Sequence, residues 1–484
     1  MKYFLRILAL LLVVGVIHSC SKDEIEDPDP PQPPEEKDSV LLPGKEMRGV
    51  WIATVWELDW PRGERDIEAQ KQQYIDYLDQ FQRMNINAVF FQVKGMGDAY
   101  YDSPYEPWSA SISGTRGKDP GYDVLSFLIE EAHARDIEFH AWMNPYRIAT
   151  RADRGTMYPD LHPSIQSDWV INHEKIQIYN PAIPEVRERL ADIVRDLIEK
   201  YDVDGIHFDD YFYPDPSSAG QMESDREDYD DYGKDFASIE DFRRNNVNET
   251  IRLVHETISN TRPEVVFSVS PAASPDYSMN TLYADVRTWA KEGWLDILIP
   301  QLYHEIGNPY NDFQERLAWW AQFSYDATLM IGYGLYRFGD PESPAAFQNV
   351  SEMEKQIEMA RKNKKVKGHL MYSAQYIPMN RIGITDKLEE LFENPGVIPF
   401  AGRSEFPDPE PATDLQLSGN TLKWKTTGDV RSVVYYFSDL KREGVVLAIT
   451  RDQEIPVGAE GYYVVTTLNN QNKESKPSEA VLKK

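Results

Sequence analysis

Two adjacent carboxylates, Asp209 and Asp210, follow the short apolar run Gly205-Ile206-His207-Phe208 and precede Tyr211-Phe212-Tyr213-Pro214. Neighbouring carboxyl groups can divide acid–base work, one protonated and the other charged, when their surroundings push the two pKa values apart. A strand turns alternate side chains to opposite faces. Ile206 and Phe208 therefore face one packed layer, His207 and Asp209 face the other, and Asp210 falls where the strand ends. The carboxyl end of a buried parallel strand is where barrel and open-sheet enzymes keep their chemistry. Tyr211 and Tyr213 offer faces on which a sugar ring can lie. The competing reading is that the aspartates cap the loop that follows, a frequent use of Asp in turns.

Other strand-like runs also end in polar residues. Gln92 and Lys94, Asn144 and Arg147, Ser270, Gln301 with Tyr303 and Glu305, and Tyr336 would ring one mouth if the strands lie parallel in a closed sheet. Glu305 is then a third candidate catalytic carboxylate, though a loop salt bridge explains a single Glu equally well. Gln92, Lys94, Asn144, Arg147, Tyr211, Tyr213, Gln301 and Tyr303 are the candidate substrate-binding residues, with mutual hydrogen bonding as the alternative use of the polar ones. His140 and His207 share the inward parity of Asp209. Zinc would need three ligands of compatible spacing, and a lone inward His suits a hydrogen-bonded core better, so no metal and no cofactor is expected.

These side chains need a frame of strands and helices to position them. Between Met47 and about Asn394 the pattern alternates strand, loop and helix, with strands expected at Val50–Ala53, Ala88–Val93, Ile137–Met143, the run before Asp209, Val265–Val269, Ile297–Leu302, Thr328–Ile331 and Lys367–Met371. Helical patterns follow each, among them Ile67–Met84, Asp241–Ile258, Thr281–Lys291 and one opening at Pro184, whose apolar face carries Val186, Leu190, Ile193, Val194, Leu197 and Ile198. Eight such pairs predict an α/β fold, a (β/α)8 barrel spanning residues 44–400; no G-x-G-x-x-G follows the first strand to suggest a dinucleotide fold. A formal charge of −29 excludes nucleic acid and anionic lipid surfaces as partners and favours a neutral or cationic substrate. The acidic run from Glu223 to Asp241 fits no calcium loop and reads as a solvated insertion.

The two ends differ from the middle. Residues 1–20 read as an export segment, with Lys2 and Arg6 before the apolar run Ile7 to Ile17. Ile17-His18-Ser19-Cys20 resembles a bacterial lipobox, and Cys20 is the only cysteine, so lipidation at Cys20 is the expectation. Residues 21–43 are a Pro- and acid-rich tether. Ser21-Lys22-Asp23-Glu24 resembles an acidic sorting signal for the outer face of the outer membrane. The expected location is that of an exported outer-membrane lipoprotein, its lipid anchor the sole membrane contact. Residues 408–484 follow the linker Asp408-Pro409-Glu410-Pro411 as a run of short strands; Trp424, the Tyr462-Tyr463-Val464-Val465 strand and Glu474 to Ser478 resemble a fibronectin type III sandwich.

Met47-Arg48-Gly49-Val50-Trp51, Phe91-Gln92-Val93-Lys94, Gly97 to Tyr101, Pro107-Trp108-Ser109, His140 to Arg147, Asp209-Asp210-Tyr211 and Pro300 to Tyr303 together resemble the glycosyl-hydrolase-like family ten of bacterial lipoproteins. The resemblance implies a TIM-barrel glycoside hydrolase, some of whose relatives act on peptidoglycan glycan strands stripped of peptides. The family usually has Arg where this chain has Lys94, and an aromatic residue where it has His304. Most glycosidases pair two carboxyl groups about 5 Å apart for retention or roughly 6.5–9.5 Å apart for inversion, a spacing that adjacent strand residues do not automatically meet. Two arrangements remain open. In one, an N-acetyl group of the substrate is the nucleophile, Asp209 orients or stabilises it and Asp210 protonates the leaving oxygen; in the other, Asp209 or Asp210 pairs with Glu305. The expected function is cell-envelope glycoside hydrolysis of a polysaccharide or oligosaccharide. The rivals are a glycan-binding surface lipoprotein without activity, which would not need the carboxylate pair, and a structural surface protein.

Overall fold

The computed structural model describes residues 40–150, 158–402 and 406–484. The export segment, Cys20 and the tether up to residue 39 lie outside the described residues. Among those described, no helix is long and apolar enough to cross a membrane.

Eight parallel strands close into a barrel: β1 (Met47–Ile52), β2 (Ala88–Lys94), β3 (Glu138–Met143), β4 (Gly205–Phe208), β5 (Val266–Val269), β6 (Ile297–Leu298), β7 (Thr328–Gly334) and β8 (Val366–Tyr372), with β1 bonded to both β2 and β8. Each leads to a helix on the outside, in order α1 (Ile67–Arg83), α2 (Val124–His133), α3 (Pro184–Lys200), α4 (Ile239–Thr261), α5 (Val286–Lys291), α6 (Phe313–Phe323), α7 (Ser351–Lys362) and α8 (Ile384–Leu391). The expected barrel is the observed one. On α3 every apolar residue named above is buried, behind Pro184 in the first turn.

The differences from expectation have local causes. Strand β6 stops at Leu298 although the apolar run continues, because Pro300 has no N–H to donate; beyond it Gln301 makes only isolated bridges to Ala272 and Gly332. The helix expected from Thr281 begins only at Val286, after a separate turn of helix. Pro275–Asn280 forms one short helix, Tyr283 takes a left-handed φ of 57°, and Asp285 then caps α5 by accepting from the Thr288 N–H. Helix α4 begins before Asp241 because Ser238 accepts from the Asp241 N–H as its cap. The acidic run is not wholly solvated. Asp225 is buried against Arg243, with Oδ1–Nη2 at 2.6 Å, and Asn180 donates to Asp228 at 3.0 Å, which docks the insertion on the barrel.

Parity holds through the barrel wall. Ile206 and Phe208 pack outward with Val89 and Phe91 against the helices, whereas Trp51, Phe90, Trp142, Met330 and Leu370 fill the interior. Around one level the register runs Trp51, Phe90, His140, Gly205. His140 stacks on Phe90 with centroids 4.3 Å apart, and a Cβ on Gly205 would lie 2.3 Å from its Nδ1, so only glycine fits opposite that ring. His207 sits one level higher. Trp51 Nε1 donates to its Nε2 at 3.1 Å and Ser268 Oγ lies 2.8 Å from its Nδ1, while burial and the nearby His140 hold its pKa well below the ordinary range.

Between β3 and α3 the chain adds an antiparallel sheet, Arg147–Thr150, Ile176–Tyr179 and Val170–His173 in spatial order, which the sequence did not suggest. After the barrel come two small antiparallel sheets. Thr413–Ser418, Thr421–Lys425 and Glu454–Pro456 form one; Val445–Thr450, Arg431–Phe437, Gly461–Leu468 and Val481–Lys483 form the other. Trp424, Leu422, Val434, Tyr463 and Val465 make the core between them. The other face of the larger sheet packs on Val397, Val40 and Leu42, and Glu474 pairs with Lys45 at 2.9 Å. This unit docks at the amino-terminal end of the barrel, where Asn472 hydrogen-bonds Glu138 at the start of β3. The opposite mouth is left free.

Candidate active site

At the carboxyl end of the barrel, β4 delivers Asp209 inward as its parity requires. Three donors hold the carboxylate: Trp142 Nε1 at 3.0 Å, Asn144 Nδ2 at 2.8 Å and the Tyr211 N–H at 3.2 Å. Asn144 is itself fixed, because its Oδ1 accepts the N–H groups of Tyr146 and Arg147. Burial raises the Asp209 pKa above the usual carboxylate range, against the pull of Arg147 and these donors. Asp210, one residue on, is half-buried and opens to the mouth. Burial, and then repulsion from Asp209, push its carboxyl up to about 7, with the Gln301 amide hydrogen-bonded to it as a partial offset. The pair thus has one carboxylate clamped by donors and one acid that keeps its proton about half the time at neutral pH.

Arg147 lies over the Tyr211 ring at 4.9 Å and donates from Nε to the Gly95 carbonyl at 3.0 Å. Tyr211 is half-exposed, as an aromatic platform at the mouth must be. Gln301 donates to the Ser270 carbonyl at 2.8 Å as well as facing Asp210. Tyr303 stacks on Tyr372 with centroids 5.8 Å apart and meets Tyr336 edge-on at 6.0 Å, so the ends of β6, β7 and β8 build one aromatic wall. Asp209, Asp210, Asn144, Arg147, Tyr211, Gln301 and Tyr303 are therefore brought to one mouth.

Four expected site residues are placed elsewhere. Lys94 follows a register slip between Gln92 and Lys94 and is fully buried, donating to the Met96 carbonyl at 3.1 Å with Glu106 at 3.9 Å; the loop after β2 has closed over it. Gln92 is also buried, and its Oε1 accepts the Thr54 and Val55 N–H groups, so it fixes the loop after β1. Tyr213 lies behind the mouth, packed edge-on to Tyr283 at 5.2 Å, because the chain has turned toward the helices. Glu305 accepts from Asn308 at 3.0 Å and neighbours His304. None of the interactions governing Asp209 or Asp210 involves Glu305. His140 and His207 belong to the barrel interior described above.

Sequence reasoning passed over Trp142, Tyr372 and Asp59. Trp142 lay inside the quoted His140 to Arg147 block, and its inward parity, two residues before Asn144 on the same face, was the available signal. Asp59 is buried and pushed up to about 6 by burial; it accepts from the Ala53 N–H at 2.6 Å, Ser373 Oγ at 2.9 Å and the Gln375 N–H at 3.0 Å, tying the loop after β1 to that after β8.

The chain is similar to known proteins. The glycosyl hydrolase YngK of Bacillus subtilis (strain 168) is 34% identical over 479 residues, covering 91% of this chain and 94% of its own. The glycosyl hydrolase DigH of Escherichia coli O6:H1 is 36% identical over 369 residues, covering 68% of this chain and 83% of its own. The PgaB (BpsB) glycoside hydrolase domain of Bordetella bronchiseptica superposes with a TM-score of 0.48 at 13% identity over 72% of this chain and 99% of that one, a likeness too loose to bear on the site. The family model described as glycosyl hydrolase-like 10 matches residues 46–348, from β1 to the loop before α7 and through both carboxylates. With two relatives above 30% identity beside that match, this chain belongs to the glycosyl hydrolase-like 10 family.

Proposed function

We propose that this protein is a cell-envelope glycoside hydrolase that cleaves glycosidic bonds in a polysaccharide or oligosaccharide containing N-acetylhexosamine, such as peptide-free peptidoglycan strands. Membership of a glycosidase-type family gives the reaction class. The observation that carries the rest is the unequal carboxylate pair: Asp209 clamped by Trp142, Asn144 and the Tyr211 N–H, Asp210 opening to the mouth.

In this mechanism the sugar before the scissile bond lies on Tyr211. Asp210 gives its proton to the glycosidic oxygen as the bond to the anomeric carbon breaks. The carbonyl oxygen of the substrate's own acetamido group attacks that carbon, forming a cyclic oxazolinium ion, and Asp209 stabilises the positive charge on its nitrogen. Water then enters, returns a proton to Asp210 and reopens the ring, with configuration retained. Both Asp209 oxygens already accept hydrogen bonds from the protein, which favours the substrate's own group as the nucleophile. Arg147 and the Tyr211 ring border the sugar, and Gln301 orients Asp210. An outer-membrane anchor at Cys20 places the enzyme at its substrate. Cys20→Ala is expected to abolish acyl labelling, and equal palmitate labelling of both forms would remove the anchor.

The test is to incubate the soluble form beginning at Leu41 with peptide-free glycan strands and with a panel of plant and host glycans, alongside Asp210→Asn. New reducing ends from the first and none from the second are expected. Binding without turnover in both would make the protein a glycan-capturing lipoprotein instead.

A further inference from the structure

The loops after β1 and β2 border an open hollow of about 400 Å3. That is within the range of small-ligand pockets, about 300–1,000 Å3. Its wall includes Trp56, Glu57, Arg65, Gly95, Asp98 and Ser111. None of these was singled out for chemistry by the sequence, and the mechanism above uses none of them.

Trp56 is the unusual member. It is 57% exposed, and among the described residues no ring or cation packs on its face. Its backbone has φ 53° and that of Glu57 has φ 58°, so two successive non-glycine residues hold the left-handed region. A bulky side chain is uncommon and strained there. The conformation is enforced from below: Gln92 Oε1 accepts the Thr54 and Val55 N–H groups, Asp59 accepts the Ala53 N–H, and the Glu57 N–H returns to the Thr54 carbonyl. A loop is thus held in a disfavoured shape, and the shape projects an indole into water over the hollow.

The charges of the wall are already paired. Arg65 grips Glu57 with both nitrogens, at 2.6 and 3.2 Å, and Arg116 stands 3.5 Å from Asp98. Paired charges and serine hydroxyls still donate and accept hydrogen bonds, but they leave no net charge to hold a phosphate or carboxylate. An aromatic face beside neutralised polar groups is the chemistry that recognises an uncharged sugar ring. The hollow also adjoins the reaction site. Its wall residue Gly95 accepts from Arg147 Nε, and Arg147 covers the Tyr211 ring, so this one side chain stands between the two aromatic platforms.

From these observations we infer that the hollow is a distal subsite that binds an uncharged hexopyranose unit of a glycan chain, away from the bond being cleaved, with Trp56 as its platform. The inference rests on the glycoside hydrolase reading of the acid pair. It predicts a preference for chains over short substrates, because binding energy gained at a remote unit can be used in the transition state at the reacting one.

The experiment compares Trp56→Ala and Trp56→Phe with wild type in the form beginning at Leu41. The substrates are a β-1,4-linked N-acetylglucosamine tetramer, peptide-free peptidoglycan strands and an aryl N-acetylglucosaminide. For Trp56→Ala the ratio of kcat/KM on the chains to that on the aryl glycoside is expected to fall about tenfold, and Trp56→Phe to restore most of it. Calorimetry of the tetramer and of the strands with Asp210→Asn, with and without Trp56→Ala, reads the same subsite without turnover; a Kd about tenfold weaker is expected. Binding that depends on Trp56 in a protein that cleaves nothing would keep the subsite and discard the hydrolase. An unchanged ratio together with an unchanged Kd, or equal losses on long and short substrates, would reduce Trp56 to a loop support and overturn the inference.

Discussion

Asp210→Asn separates the acid from its scaffold. The carboxyl rises from an ordinary 3.8 to about 7 in the folded protein. At about 1.36 kcal/mol per pKa unit, the ionised form is disfavoured by at most about 4 kcal/mol, an upper bound because the open mouth admits water. The sign follows from proton uptake. Between roughly pH 4 and pH 7 the folded state holds a proton at Asp210 that the unfolded state has lost, so the contribution is fully present below about pH 4 and disappears as pH rises through about 7. Asparagine has no proton to lose and is spared that cost. Denaturant unfolding of wild type and Asp210→Asn is therefore expected to give similar stabilities at about pH 3.5 or below, and a variant more stable by about 1–4 kcal/mol at pH 8. Turnover of a natural glycan at neutral pH is expected to fall by about 10²–10⁴-fold. A stability difference that does not change with pH would mean that Asp210 is not held protonated in the fold. Full turnover in the variant would pass the acid role elsewhere, with Glu305 the first to examine, since its Oε2 is buried without a hydrogen-bond partner.

The same protonation gives kcat/KM of the wild type a descending limb above about pH 7, absent in any residual activity of Asp210→Asn; a flat profile to pH 9 would contradict it. Asp209→Asn is expected to be no better on a substrate with an activated leaving group than on a natural one, whereas Asp210→Asn should be largely rescued by it; equal rescue would merge the two roles. Gly205→Ala drives a Cβ to 2.3 Å from His140 Nδ1 and is expected to lower stability by about 1–3 kcal/mol or prevent folding, read by the denaturant midpoint; a neutral result would show the interior to be loosely packed. Ending the chain at residue 402 uncovers Val397, Val40 and Leu42 and the Glu138 end of β3, so the melting temperature should drop while the mouth, at the far end, keeps its activity on soluble oligosaccharides; loss of all turnover in a folded product would link the small sheets to the site.

The barrel was legible because its signals are local: alternation along β4 placed His207 and Asp209 inward, and the spacing on α3 marked its buried face. Lys94 shows where that logic ends. The register slips just before it, and whether a strand-end residue reaches solvent depends on the loops around it; Glu106 and Tyr179 come from segments whose approach leaves no mark on the strand. Tyr213 was named for its aromatic ring and its closeness to the acid pair in sequence, and beyond Phe208, where the strand stops, the chain carries that ring away from the mouth. Glu305 lies after the right strand but faces His304 and the loop at Asn308, a choice of direction that a sequence pattern does not record. The pKa difference within the Asp pair depends on burial and on a donor set drawn from β3, β4 and β6, so adjacency could suggest it but not assign it.

The axis of the barrel is wired rather than merely filled. From the acid at the rim, Asp210 meets Gln301, Gln301 holds the Ser270 carbonyl, Ser270 Oγ lies 3.1 Å from His207 Nε2, and the same nitrogen receives the indole of Trp51. The rim of such a barrel is usually free to change loop by loop while the interior stays indifferent. Here the orientation of the acid is inherited from a column of polar contacts that runs inward through β5, β4 and β1. A substitution deep among the interior rings would tilt the Asp210 carboxyl without touching the mouth, and loops exchanged at the mouth alone would still sit beside a carboxyl governed by that column.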